Sequence, residues 1–267
     1  MNADKPADIG LKKTKAANEA HAATALACLD LTSLNDDDTE ADIAALCERA
    51  VTAHGAVAAV CVWPRFAAFA RAELPRHVAV AAVANFPAGR ADVMRAVRDV
   101  QAIVQAGAQE VDVVLPWRHL HDGDDASCAR LLAAVRRACA GLRLKVILET
   151  GELRSRALIT RACRVALDAG ADFLKTSTGK TATSATPQAA YAMLQAISLH
   201  GDPRVGFKAS GGIRTVAQAG AYIEMSRTAL GDAALAPSRF RLGASSLLND
   251  IEAVLEGRDN AAPASRY

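Results

Sequence analysis

Eight short apolar runs, separated by longer helix-like stretches, recur from Leu26 almost to Leu255, and this rhythm constrains the fold more than any other feature. The runs are ALACLDL, AVAAVCVW, HVAVAAVANF, EVDVVLPW, RLKVILET, ADFLKTS, RVGFKAS and FRLGAS. Each is rich in Val, Ile, Leu, Ala or Phe, and most end at turn-forming or polar residues, as strands bounded by loops do. Between them, patterns such as DIAALCERAVTAHG and ADVMRAVRDVQAIVQAG place apolar residues three and four apart and stop at a glycine. Thr39 followed by Asp42 resembles a capping box, with Asp in the usual Glu position.

Strands alternating with helices predict parallel βα units. Eight such units in 267 residues favour a single-domain α/β fold, a closed TIM (β/α)8 barrel, which typically needs about 250 residues. An open doubly wound sheet, which usually has fewer strands, is the alternative. Residues 1–24 read as a polar N-terminal lead-in, 25–258 as the barrel and 259–267 as a flexible C-terminal tail. Hydrophobic residues make up 51% and aromatics only 4%, so the core is expected to be aliphatic, with small-faced helices packed on strands.

The formal net charge is +2 and the basic residues are scattered, which leaves no broad footprint for nucleic acid or an anionic membrane. The 6 cysteines (Cys28, Cys47, Cys61, Cys128, Cys139 and Cys163) lie in apolar or helical patterns without a C-x-x-C pair, and read as reduced thiols. The N-terminus lacks an apolar stretch of signal-peptide length, and no run approaches the roughly 20 residues needed to span a bilayer. A cytoplasmic protein is expected.

In a barrel of this kind chemistry gathers at the C-terminal ends of the strands. There the sequence places Asp30, Cys61, Asn85, Glu149, Lys175 and Lys208, with Asp112 inside the fourth strand. Buried charges are normally paired, and Lys145 with Glu149, four apart on one strand, is expected to form such a pair. Lys175 and Lys208 interrupt apolar strands rather than decorating a helix surface. Two lysines and a carboxylate suggest an amine nucleophile. A free lysine has a pKa near 10.4, so only about one molecule in 2,500 is neutral at pH 7. A second ammonium and partial desolvation lower that pKa, so that one lysine reacts while the other stays charged.

A phosphate signal accompanies the lysines. STGKTATSATP follows the sixth strand, ASGGIRT the seventh, and GASSLL lies within and just after the eighth. Glycines allow close backbone approach, Ser and Thr donate hydrogen bonds, and helix N-termini favour anions. GKT at Gly179 is not a nucleotide-binding P-loop, because the first glycine of that motif would fall on Leu174, inside a strand. His119 and His121 beside Asp122, Asp124 and Asp125 read as a solvated loop without a convergent ligand from another strand end, so no metal is expected. A phosphosugar-binding protein without catalysis, or a barrel isomerase using lysine as a base, are the rival classes.

LDLTSLNDDDT, VANFPAG, EVDVV, KVILETGEL, AGADFLKTSTGKTATSATP, VGFKASGGIRT and RLGASSLL together resemble the deoxyribose-phosphate aldolases, from about Cys28 to Leu248. The resemblance implies a cofactor-free class I aldolase acting on 2-deoxyribose 5-phosphate in deoxyribonucleotide catabolism. By the same resemblance Lys175 is the Schiff-base lysine, Lys208 lowers its pKa, Asp112 is the acid/base carboxylate, and Asp30 orients Lys208 or a relay water. Thr178, Gly179, Lys180, Gly211, Gly212, Ser245 and Ser246 are implied to bind the substrate's phosphate end, with Thr32 and Cys61 near the reacting carbons. Tyr267 resembles the C-terminal tyrosine thought to assist proton transfer at C2 in some members. The family often has K-P-A-G-G where this chain has Lys208, Ala209, Ser210, Gly211 and Gly212, so the lysine and the glycine pair are kept. Members are often dimeric, which makes a homodimer the assembly to test, although no interface is visible in the sequence.

Overall fold

A computed structural model describes residues 6–258, with side chains described from residue 15. Eight parallel strands close into a barrel: β1 (Leu29–Thr32), β2 (Ala59–Val62), β3 (Ala79–Ala84), β4 (Glu110–Val114), β5 (Arg143–Ile147), β6 (Phe173–Lys175), β7 (Gly206–Ser210) and β8 (Phe240–Ala244). Each strand pairs with the next in sequence and β8 pairs with β1, so the barrel sheet itself has no open edge. The TIM-type (β/α)8 barrel predicted from the eight apolar runs is the fold observed.

The helices are α1 (Pro6–Ala27), α2 (Glu40–Glu48), α3 (Ala67–Glu73), α4 (Val93–Gln105), α5 (Trp117–His121), α6 (Asp125–Ala138), α7 (Thr150–Leu153), α8 (Arg156–Asp168), α9 (Pro187–His200), α10 (Val216–Leu230) and α11 (Leu247–Leu255). Thr39 caps α2 through the capping box read from the sequence, its side chain accepting from the Asp42 N–H while Asp42 accepts from the Thr39 N–H. That helix is shorter than its apolar spacing suggests. It stops at Glu48, and Val51–Thr52 and Gly55–Ala56 form a small antiparallel hairpin instead, so Gly55 belongs to the hairpin. At Gly107, one residue beyond the C-cap of α4, the positive φ (74°) supplies the helix stop as expected.

The polar lead-in is largely helical. Ala22, Ala25 and Leu26 of α1 are buried, and His21 Nε2 lies 2.6 Å from Glu224 Oε1 on α10. As a result the first run, ALACLDL, divides: Ala25–Ala27 close the helix, and the strand begins at Leu29.

Period-two alternation separates two apolar regions. Outward residues such as Leu29, Val60, Val111, Val146, Leu174 and Phe207 belong to the large core beneath the helices. Inside the barrel, Cys61, Ala81, Val83, Val114 and Ile147 form a second, smaller cluster with Leu34 and Phe86. Both faces of every strand are therefore buried, which is why the strands read as continuous apolar runs.

Candidate active site

Because inward positions recur every second residue, a charge on an inward position enters the barrel and must find a partner there. Register decides which partner. Asp112 lies opposite Lys145, Lys175 opposite Lys208, and Lys208 opposite Arg241. Asp30 pairs with Gly243, whose missing side chain leaves space: a Cβ there would stand 3.0 Å from Lys208 Cε and 2.5 Å from Ser210 Oγ.

Asp112 is the hub. Its Oδ1 accepts from Lys145 Nζ at 2.7 Å, and its Oδ2 accepts from both Lys175 Nζ and Lys208 Nζ at 2.8 Å. Lys208 also donates to Asp30 Oδ2, while Arg241 donates to Asp30 Oδ1. Glu110 completes the cluster, accepting from Arg241 at 2.7 Å through Oε1 and lying 2.6 Å from Lys145 Nζ through Oε2. The lysines are almost wholly enclosed, but Lys175 keeps 2% of its side chain exposed where Lys145 and Lys208 keep 0%.

The charges do not balance if all are ionised. Three carboxylates (Asp30, Glu110 and Asp112) face four cations (Lys145, Lys175, Lys208 and Arg241) in this buried cluster. Burial disfavours every one of these charges, and it is the pairing that decides which survive. Burial would raise the three carboxylates, yet the surrounding lysines and Arg241 outweigh it and hold them below the usual carboxylate range. Burial likewise opposes charge on Lys145 and Lys208, but their several carboxylate neighbours keep both above the ordinary lysine value. Lys175 goes the other way. Its desolvation, reinforced by the Lys208 ammonium, overcomes its share of Asp112 and lowers its pKa. The cation in excess is thus Lys175, at the end of β6, the lysine of the cluster whose charged form has the least support.

A cavity of about 300 Å³ opens at the C-terminal ends of the strands, lined by Thr32, Thr178, Gly179, Lys180, Gly211, Gly212, Ser245 and Ser246 among others. Every residue singled out in the sequence as contacting the phosphate end lines it. So does Arg214, a second exposed cation that sequence reasoning passed over. Ser246 is the N-cap of α11, so the unpaired N–H groups of that helix begin at the cavity. Gly211 and Gly212 hold φ of 88° and 79°, and a Cβ on Gly211 would meet Ser184 Oγ at 2.5 Å, so the turn after β7 requires glycine there. Cys61 lies inside the barrel below the cavity, its Sγ 4.0 Å from Asp112 Oδ2; burial, then Asp112, raises its pKa and keeps it a thiol.

The structure corrects one expected pairing. Lys145 does not pair with Glu149; it reaches across to Asp112 and Glu110. Glu149 follows β5 with φ 57° and turns toward the next loop, accepting from the Thr178 N–H at 3.3 Å and the Thr178 hydroxyl at 2.6 Å. Asn85, at the end of β3, holds backbone, donating to the carbonyls of Arg90 and Val114. His119 Nδ1 lies 3.3 Å from Asp124 Oδ2 with both side chains over two-fifths exposed, and among the described residues no group of three or more His, Cys, Asp or Glu is gathered as a metal site would need. Tyr267 lies outside the described residues.

The sequence model of the DeoC/LacD family aldolases matches residues 24–253. The chain belongs to this family. Among relatives of the DeoC/LacD aldolase, a deoxyribose-phosphate aldolase of Agrobacterium fabrum is 48% identical over 249 residues, covering 92% of this chain and 96% of its own. A crystal structure from Toxoplasma gondii assigned to deoxyribose-phosphate aldolase superposes with a TM-score of 0.83 at 25% identity, over 93% of this chain and 99% of that one. A second, from Coccidioides immitis and likewise assigned, gives 0.76 at 29% identity over 86% and 87%.

Proposed function

We propose that the chain is a class I aldolase that reversibly cleaves 2-deoxy-D-ribose 5-phosphate to D-glyceraldehyde 3-phosphate and acetaldehyde, with Lys175 as its Schiff-base lysine. The asymmetry between the two strand-end lysines carries this proposal: Lys175 shares a single oxygen of Asp112, whereas Lys208 holds oxygens of both Asp112 and Asp30. The name of the 48% identical relative supports the substrate.

Neutral Lys175 Nζ adds to C1 of the open-chain aldehyde, and loss of water from the carbinolamine leaves a cationic imine. The C2–C3 bond then breaks, its electron pair moving into the imine to give an enamine. The C3 hydroxyl yields its proton, through water, to Asp112, which is held ionised by its lysine neighbours and so accepts rather than donates. C3 leaves as the aldehyde carbon of glyceraldehyde 3-phosphate. Protonation of the enamine at C2, assigned to Tyr267, is followed by hydrolysis of the imine, which frees acetaldehyde and restores Lys175. Lys208 remains charged throughout, anchored by Asp30. The phosphate is bound by Lys180, Arg214, the serines at the start of α11 and the glycine turn after β7. Substrate would come from deoxyribonucleotide breakdown in the cytoplasm.

Incubation with 2-deoxyribose 5-phosphate, in the presence of a chelator, is expected to release both aldehydes, and Lys175→Ala to abolish that release. A wild-type protein that binds the phosphosugar without cleaving it would favour the binding-protein class instead.

A further inference from the structure

Glu110 stands at the start of β4, two residues below Asp112 on the same inward face and away from the cavity. It does not line the cavity, yet it grips two cations of the charged cluster. Its Oε2 lies 2.6 Å from Lys145 Nζ and its Oε1 accepts from Arg241 Nη2 at 2.7 Å. Lys145 in turn occupies Asp112 Oδ1, and Arg241 occupies Asp30 Oδ1. One oxygen of each aspartate is thereby taken from below, and the remaining Oδ2 atoms point to Lys208, with Lys175 left a share of only one. We propose that Glu110 is a positioning residue: by tethering Lys145 and Arg241 beneath the barrel mouth, it keeps Oδ1 of both aspartates occupied and Lys175 with one shared oxygen, and its charge sets the acid limit of imine formation at Lys175. This rests on Lys175 being the imine-forming lysine.

Glu110 is faced by Lys145 and Arg143 from β5, Arg241 from β8 and Asp30 from β1. Arg143 is 34% exposed and correspondingly screened. Lys175 is faced by Asp112 from β4, Lys208 from β7, Cys61 from β2 and Glu149 from the end of β5. Removing the negative charge of Glu110 makes the cluster more positive and favours neutral Lys175 further; removing the positive charge of Arg241 does the opposite.

The test follows the rate of substrate-dependent borohydride trapping at Lys175 across pH. Glu110→Gln is expected to move the acid limb of that profile to lower pH by about one pH unit, and Arg241→Met to move it higher by a similar amount, the scale set by one nearby charge in a partly desolvated cluster. Glu110→Asp and Arg241→Lys, which keep charge, are expected to leave the limb in place whatever they do to the rate. Should Glu110→Gln not fold, Arg241→Met read against Arg241→Lys decides alone. Slower trapping with an unmoved limb in the charge-removing variants would mean a merely structural role and overturn the inference while leaving Lys175 as the Schiff-base residue. Absence of a wild-type adduct on Lys175 overturns both.

Discussion

At the scale of single residues, the cluster has one more cation than it can neutralise, and the least-supported lysine, Lys175, is the one proposed to carry the chemistry. Replacing Lys208 with Met removes a cation that lowers Lys175, so the pKa of Lys175 is expected to rise. We expect kcat/KM at pH 7 to fall by about 10²-fold or more and to recover partly as pH rises, a profile shift that separates lost activation from lost folding. Lys175, Lys208, Asp112 and Asp30 were legible in the sequence because a charge interrupting an apolar strand has little other use. Glu110 and Arg241 carry the same signal, but at the entry ends of their strands, where loops and ligands are not expected. The partner of Lys145 was not legible at all: Lys145 and Glu149 read as one strand, but the strand ends at Ile147, the closure register puts Asp112 opposite Lys145, and the left-handed backbone at Glu149 turns its carboxylate away.

At the scale of elements, the cavity depends on how the loop after β6 is held. Glu149 accepts from the N–H and hydroxyl of Thr178 and from the hydroxyl of Thr181, and the short helix α7 packs beneath the same loop. A Cβ on Gly151 would stand 2.0 Å from the Thr183 carbonyl oxygen. Gly151→Ala is therefore expected to push the loop aside, raising KM for the phosphosugar about tenfold with a smaller effect on kcat and costing about 1–3 kcal/mol in a denaturation experiment. Glu149→Ala should raise KM in the same direction. Elements were legible where periodicity is strong, as in α4, whose glycine stop lies one residue beyond its cap. They were less so where small residues do the packing: α1 buries alanines among polar neighbours, which reads as a polar lead-in rather than a helix face. In α2 the apolar spacing continues past Glu48, while the chain leaves the helix for a hairpin closed by the Val57 N–H donating to the Ala50 carbonyl.

At the scale of the whole molecule, the interior of the barrel stores its polarity in ion pairs, which ties stability to acid. Asp30, Glu110 and Asp112 titrate lower in the folded chain than unfolded, because neighbouring cations outweigh burial. The unfolded chain consequently takes up more protons near pH 4, and the stability these groups confer, complete above about pH 5, is lost as pH falls through that range toward their folded values. Thermal unfolding followed by circular dichroism is expected to show a melting temperature that drops steeply below about pH 4 and changes little between about pH 5 and 7 on account of these groups. The barrel itself was legible because closure buries both strand faces and makes eight apolar runs obligatory; the stagger that brings Asp112, Lys145, Lys175 and Lys208 to one place belongs to the closed molecule alone. The most direct measurement is to treat the protein with 2-deoxyribose 5-phosphate and sodium borohydride at neutral pH and sequence the labelled peptide. We predict a substrate-dependent adduct on Lys175 with Lys145 and Lys208 unmodified; an adduct on Lys208 instead, or none on a folded protein, would contradict the account.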